Sequence, residues 1–280
     1  MNVCKITLLV VLACAMVQAQ DPISNFSDEG GHSKPGWSFK AGAIAMTGPA
    51  IPGSDTERNI AMPMLSAEYD GRYFFGSSRV SVGAGLGMHL LKSRSFTWDL
   101  GLGYSERRVE DRADELAGMG DRTAAIWVGT AMKYRLGPLS AGLTLATGMR
   151  SEVGSRSTLE LAYRTRIAEH WFAGMTASAV FGDAKNLSYD FGVSEEQSAR
   201  RQGLLASGDS RLKTGEGASY TPGAGLRELQ AGIFAGFSPD RSLRYFLMLR
   251  GTKLQGDAAS SPLVRKPETL SAGFGFTYQF

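Results

Sequence analysis

Beyond residue 14 this sequence contains no cysteine. Both thiols, Cys4 and Cys14, fall in an N-terminal apolar stretch. The rest of the chain can therefore form no disulfide, zinc–thiolate centre or cysteine nucleophile. Histidine is almost as scarce. His32, His89 and His170 are the full complement, scattered and unaccompanied by thiols, which argues against a transition-metal site and leaves no cofactor to expect. After the N-terminal stretch, no run reaches 18 uncharged apolar residues, so a helical membrane protein is not expected. Charge of one sign is not in excess either. Leaving out Lys5, 29 basic residues face 27 acidic ones, and no nucleic-acid partner is indicated.

The N-terminal stretch itself reads as an export signal. Lys5 precedes an apolar run from Ile6 to Val17, and the small Ala19 precedes Gln20, which suits cleavage after residue 19. The run is shorter than the roughly 20 residues of a spanning helix. A lipoprotein signal is the alternative, because Val11-Leu12-Ala13 precedes Cys14. Residues 20–36 are rich in Asp, Glu, Gly, Ser and Pro and read as a mobile periplasmic leader. Residues 37–280 remain as one large domain.

What that domain has is alternation with period two. Leu270, Ala272, Phe274, Phe276, Tyr278 and Phe280 alternate with Ser271, Gly273, Gly275, Thr277 and Gln279. One face is apolar or aromatic and the other small and polar, as for a strand between lipid and a hydrated lumen. The split recurs from Phe96 to Tyr104, Leu139 to Ala146, Leu159 to Arg166 and Leu229 to Phe237, where Gln230, Gly232, Phe234 and Gly236 take the second face. Trp171 and Phe181 bracket one strand, with Ala173, Met175, Ala177 and Ala179 between them on the same face, and the roughly ten residue steps would span about 25 Å, the height of an outer-membrane apolar band. A soluble β-sandwich also alternates, but its outer faces should be polar.

Twelve strands are expected, near residues 37–46, 60–70, 72–77, 80–91, 96–106, 122–136, 138–149, 157–167, 171–181, 228–238, 243–254 and 269–280. If 72–91 is one bent strand, the number falls. Tight links alternate with mostly longer ones, the pattern of short periplasmic turns and long extracellular loops in an all-β, antiparallel transmembrane barrel. Pro63 cannot donate to a ladder and predicts a bulge or an early strand end. The chain closes on Gly275, Phe276, Tyr278 and Phe280, an alternating aromatic end that resembles the signal read by the bacterial barrel-assembly machinery. The expected location is the outer membrane of a Gram-negative bacterium, among its lipids and lipopolysaccharide.

Four stretches carry a family resemblance. They are Gly53-Ser54-Asp55 with Met62-Pro63-Met64 and Tyr69 to Phe75; Tyr134 to Pro138; Tyr189 to Arg200 with Tyr220 and Gly223 to Glu228; and Leu254 to Val264. In this the chain resembles the MltA-interacting protein (MipA/OmpV) family over nearly all of its mature length. Its loop signatures are the most specific part: Phe191, Gly192, Val193, Ser194, Gln197, Ser198 and Arg200, then Gly256, Asp257, Ser261 and Pro262. The segment Arg201 to Ser219 is longer than the family's usual connection, and Gln255 replaces an aliphatic residue. The resemblance implies a non-enzymatic barrel. A scaffold between a murein hydrolase and a murein synthase, a porin-like channel and an adhesin are the roles described in that family.

Other residues are candidates on their own chemistry. Lys40, Glu68, His89, Asp99, Lys133, Arg135, Glu160, Arg164, Arg166, Arg244 and Arg250 fall on the lumen face, as a weakly anion-favouring pore or a set of internal ion pairs. His89 invites a lipid-hydrolase reading, yet no Gly-x-Ser-x-Gly elbow accompanies it and no catalytic residue is assigned. In the longest loop, Ser194 and Gln197 make a capping box for a short helix through Ala199. Arg200 to Gly217 reads as flexible, with Arg200, Arg201 and Arg211 as possible contacts for lipopolysaccharide phosphates.

Overall fold

A computed structural model describes residues 36–77 and 84–280, so the expected export signal, His32 and nearly all of the expected leader lie outside the described residues. The strands are β1 (Trp37–Pro49), β2 (Glu57–Tyr69), β3 (Tyr73–Ser77), β4 (Ala84–Lys92), β5 (Phe96–Ser105) and β6 (Ala125–Leu136). There follow β7 (Leu139–Gly148), β8 (Ser155–Arg166), β9 (Trp171–Gly182), β10 (Gly225–Phe237), β11 (Leu243–Leu254) and β12 (Glu268–Gln279). Each pairs antiparallel with its sequence neighbours, and β12 pairs with β1 to close a twelve-stranded barrel. The segment 72–91 is two strands, paired from Tyr73↔Met88 to Ser77↔Ala84.

The alternation sets which face meets which environment. On β12, Leu270, Phe274, Phe276 and Tyr278 are exposed, with Phe280 just beyond it, as are Trp171, Met175 and Phe181 on β9. Such a continuous apolar exterior would be penalised by water and is stabilised by hydrocarbon. No helix among the described residues is long and apolar enough to cross a membrane. Aromatic pairs gather on the outside near the tight-turn end, including Trp37–Tyr69 and Trp171–Phe237, each with ring centroids 5.0 Å apart. They form the kind of girdle found at a membrane interface.

The tight turns follow local chemistry. Asp70 and Gly71 both have positive φ, 50° and 64°, which suits a two-residue hairpin turn of Asp-Gly type. The Asp240 carboxylate accepts from the backbone N–H groups of Ser242 and Leu243 and fixes the turn before β11. Pro63 makes neither a bulge nor a strand end. β2 keeps one register with β1 from Trp37↔Tyr69 to Pro49↔Glu57, through Ala43↔Pro63. On its other side, β2 pairs with β3 only from Ala67 to Tyr69. Proline thus sits on a stretch paired along one side among the described residues, where a missing donor is tolerated.

The interior is more apolar than the alternation suggests. Ile44, Phe172, Phe234, Phe246 and Met248 form a buried cluster inside the barrel, with Met46, Met62 and Met64 against it. Inward glycines make room for it: a Cβ added at Gly236, Gly174 or Gly275 would lie 2.0, 2.3 or 2.5 Å from Cζ of Phe172, Phe234 or Phe246. Phe234, which the alternation already sets on that face, is joined there by Phe172 and Phe246.

Candidate functional site: the loop cap and the barrel interior

The long links fold into one cap. In the β9–β10 link, α1 (Ala184–Phe191) starts at Asp183, whose carboxylate accepts from Asn186 N–H at 2.7 Å. α2 (Glu195–Ala206) starts at Ser194, and the capping box with Gln197 is present in both directions, at 2.9 and 3.2 Å. The helix runs seven residues past Ala199, and the following segment packs, with Leu212 and Glu216 buried. Arg200 to Gly217 is therefore not a solvated tether. A further short helix, α3 (Gly256–Ala259), lies in the β11–β12 link.

Polar side chains hold these links to one another. Arg201 has no exposed surface; its guanidinium donates to the carbonyls of Glu216 (2.7 Å), Glu115 (2.7 Å) and Ala117 (2.9 Å). Glu115, equally buried in the β5–β6 link, accepts from Ser54 Oγ at 3.0 Å and Asp55 N–H at 2.9 Å in the β1–β2 link. Arg265 in the β11–β12 link donates to Glu216 at 2.6 and 2.8 Å and reaches Asp55 at 3.3 Å. Apolar contacts from the same links close the cap: Leu116, Met119, Val193 and Leu263 share one buried cluster. In a twelve-strand circle, the β5–β6 link stands opposite the β11–β12 link. Arg265 Nε lies 3.9 Å from the Glu115 carboxylate, so the loops meet across the mouth.

Electrostatics follow from these contacts. The Lys213 ammonium, 2.7 Å away, holds the Asp55 carboxyl down to about 2. Burial pushes Glu115 up. Burial acts against Glu216 ionising too, but Arg265 holds it below the ordinary carboxylate range.

A second polar centre surrounds α1. Arg227 of β10 pairs with Asp190, and Arg108 Nη1 donates to the Asp190 carbonyl at 3.3 Å. Arg122 lies 4.6 Å over the Tyr189 ring, and Arg156 of β8 lies 4.6 Å over Trp127. Burial disfavours the Asp190 carboxylate, but Arg227, Arg122 and Arg108 hold it below its ordinary range.

The residues singled out from sequence separate into three groups. Phe191, Gly192, Val193, Ser198 and Ser261 are buried in the cap; Ser261 Oγ donates to the Phe191 carbonyl at 2.6 Å. Ser194, Arg200, Gly256 and Asp257 are exposed on it, with Gln197 and Pro262 half-buried. Arg200 bonds the Gly118 carbonyl (3.0 Å) and Glu196 (2.7 Å), while Arg211 bonds Asp209. With Arg201 sealed inside, the three arginines do not make one surface for lipopolysaccharide phosphates.

The residues expected on the lumen face differ in burial. Asp99 and Lys133 are buried, and Lys40, Glu68, His89, Arg135, Glu160, Arg164, Arg244 and Arg250 are half-buried; Arg166 is exposed at the tight-turn end. His89 Nδ1 lies 2.6 Å from Asp99 Oδ1, and Glu68 accepts from Lys92 at 2.7 Å. Arg164 and Arg244 sit 5.0 and 5.4 Å over the Phe172 ring. Sequence reasoning placed Phe234 on the inner face but missed Phe172 and Phe246 beside it, and the roles of Glu115, Asp190, Arg108, Arg122, Arg156 and Arg227. The concentration of arginine between residues 107 and 122 was the available signal for part of this set.

A closed antiparallel barrel with a lipid-facing apolar exterior, aromatic girdle and long-loop cap defines an outer-membrane β-barrel. The chain belongs to the family described as MltA-interacting protein MipA, whose model matches residues 41–280. No curated relative matches the sequence. Similar solved structures include the NanC porin, with 6% identity, covering 84% of this chain and 98% of that one at a TM-score of 0.43. The KdgM porin in complex with disordered oligogalacturonate shares 8% identity over 87% and 99% of the two chains, TM-score 0.44. An outer membrane channel from Pseudomonas putida F1 shares 11% over 90% and 99%, TM-score 0.44.

Proposed function

We propose that this barrel is a non-enzymatic platform in the Gram-negative outer membrane, docking murein-remodelling enzymes and not serving as an open passage. The observation that carries this reading is the contact of opposed loops across the mouth, centred on Glu115, Arg201 and Arg265. The buried cluster of Phe172, Phe234, Phe246 and Met248 narrows the interior further. The family description names an interaction with MltA, a murein hydrolase, and a murein synthase is a second candidate partner. A murein enzyme would meet the tight-turn end, which faces the periplasm in barrels of this class. Lipopolysaccharide and outer-membrane lipid would surround the wall. The barrel-assembly machinery would read Gly275, Phe276, Tyr278 and Phe280 on export after cleavage of residues 1–19. The test is capture of purified murein hydrolases and synthases by the immobilised full barrel in detergent. Saturable retention is expected, and retention of none removes the scaffold role.

A narrow solute channel is the second reading. It is favoured by the excess of Lys and Arg among the inward residues, from Lys40 to Arg250, which would suit small anions. A lipid hydrolase is third and rests on His89 and Asp99 alone. Loss of phospholipid hydrolysis in a His89→Ala variant would support it.

A further inference from the structure

Beneath α1 the chain brings together more positive than negative charge. Arg108 and Arg122 stand opposite one another across an antiparallel bridge, and their backbones exchange hydrogen bonds of 3.0 and 2.7 Å. Like charges directly opposed across paired strands destabilise unless something lies between them to neutralise both. Arg156 lies within electrostatic range of the two carboxylates that Arg227 pairs with, Asp190 and Glu228. Arg227 engages both, directly at Asp190 and at 3.6 Å from Glu228. Four guanidiniums thus share two carboxylates.

The hydrogen-bond geometry points the same way. Nε and Nη2 of Arg108 and Nη1 of Arg122 are screened from solvent and meet no acceptor among the described residues. The π face of Tyr189, 4.6 Å from Arg122 Cζ, offsets part of the Arg122 charge. Burial, followed by the Arg122 charge, pushes the Arg108 guanidinium down to about 9, so it remains a cation at neutral pH. Guanidinium forks present paired, coplanar donors that match the oxygens of a tetrahedral oxyanion.

We propose that Arg108 and Arg122, backed by Arg156 and Arg227, form a site under α1 for a phosphate-class oxyanion. The oxyanion is either inorganic phosphate or a phosphate carried on a lipid or sugar headgroup. The site stands independently of whether the barrel docks an enzyme or passes solute.

The test uses the full barrel folded in detergent, titrated by calorimetry at constant ionic strength with inorganic phosphate, with chloride as control, and separately with dispersed lipid A. Saturable binding of either phosphate source, with no chloride effect, is expected. The Arg108→Gln/Arg122→Gln pair should weaken it about 10- to 100-fold, the loss of hydrogen bonds to a charged group. Arg108→Lys keeps the charge, loses the fork and should weaken binding by less than the double variant. Binding of inorganic phosphate identifies a free anion as occupant; binding of lipid A alone, dependent on Arg108 and Arg122, identifies a headgroup. Binding of neither, or binding unchanged in both variants, overturns the proposal.

Discussion

The ring of Phe172 on β9 covers the backbone of Gly236 on β10 so closely that a Cβ added at Gly236 would stand 2.0 Å from the ring's Cζ. Arg164 and Arg244 hold the same ring at 5.0 and 5.4 Å. The ring therefore has little room to yield. Gly236→Ala should overpack the site and cost about 1–3 kcal/mol. Gly251→Ala is the control, because its nearest contact would be 3.9 Å away. Urea unfolding in detergent should separate the two; equal midpoints would show that the Phe172–Gly236 contact is not tight.

Arg201 is the joint of the cap. Arg201→Met would leave the carbonyls of Glu115, Ala117 and Glu216 without their donor. Hydrogen bonds to a charged group are worth about 1.5–3 kcal/mol each, and a buried acceptor left unmade carries its own cost. The strands make none of these bonds, so the barrel should stay folded while the 195–219 segment becomes open to protease. Unchanged proteolysis would show that the apolar cluster around Leu116 and Leu263 holds the cap unaided.

Acid should loosen the Asp55 corner of the cap. Its folded pKa is depressed to about 2, chiefly by Lys213, from an ordinary 3.8. A depressed carboxyl contributes stability that is present above its unfolded value and lost as pH falls through the folded one, here between about pH 4 and pH 2. Glu216, held low by Arg265 against burial, has the same sign. Glu115 has the opposite sign: burial raises it, so protonating it favours the fold. Hydrogen exchange near residues 213–216, corrected for intrinsic rates, should quicken across that window. Lys213→Met should flatten the response; an unaltered profile would remove Lys213 as its source.

Phe280 separates folding from assembly. Its ring is 77% exposed, while its backbone N–H donates to the Phe39 carbonyl at 3.0 Å. Phe280→Ala keeps the backbone closure and loses only a largely exposed ring. The unfolding midpoint of refolded protein should move little, within about 0.5 kcal/mol. The amount of barrel assembled in cells should fall several-fold if assembly machinery reads the aromatic end. Equal assembly would leave the terminal ring without that role.

The strands were legible because lipid imposes a one-sided rule. Leu270 to Phe280, Trp98 to Leu102 and Leu159 to Tyr163 put their large apolar side chains outward, and small or polar neighbours mark the other face. The capping box at Ser194 was legible because both partners lie within one turn. Phe234 was placed inward by its alternation, but Phe172 and Phe246 were not, and the packing of all three was hidden, since each ring lies over a glycine opposite it on the next strand, which requires the register. Arg201 was hidden for a similar reason. Two of its acceptors lie 84 and 86 residues away, so a loop without apolar periodicity read as solvated. Pro63 misled because its tolerance depends on how far β3 runs beside β2.

A closed platform and an open channel differ most in what they do to a planar bilayer. The unmodified barrel should insert and carry no sustained ionic current. A variant combining Arg201→Met with Phe172→Ala, which releases the cap and empties part of the interior cluster, should conduct. Steady, porin-sized current from the unmodified protein would contradict the closed reading and establish the channel in its place.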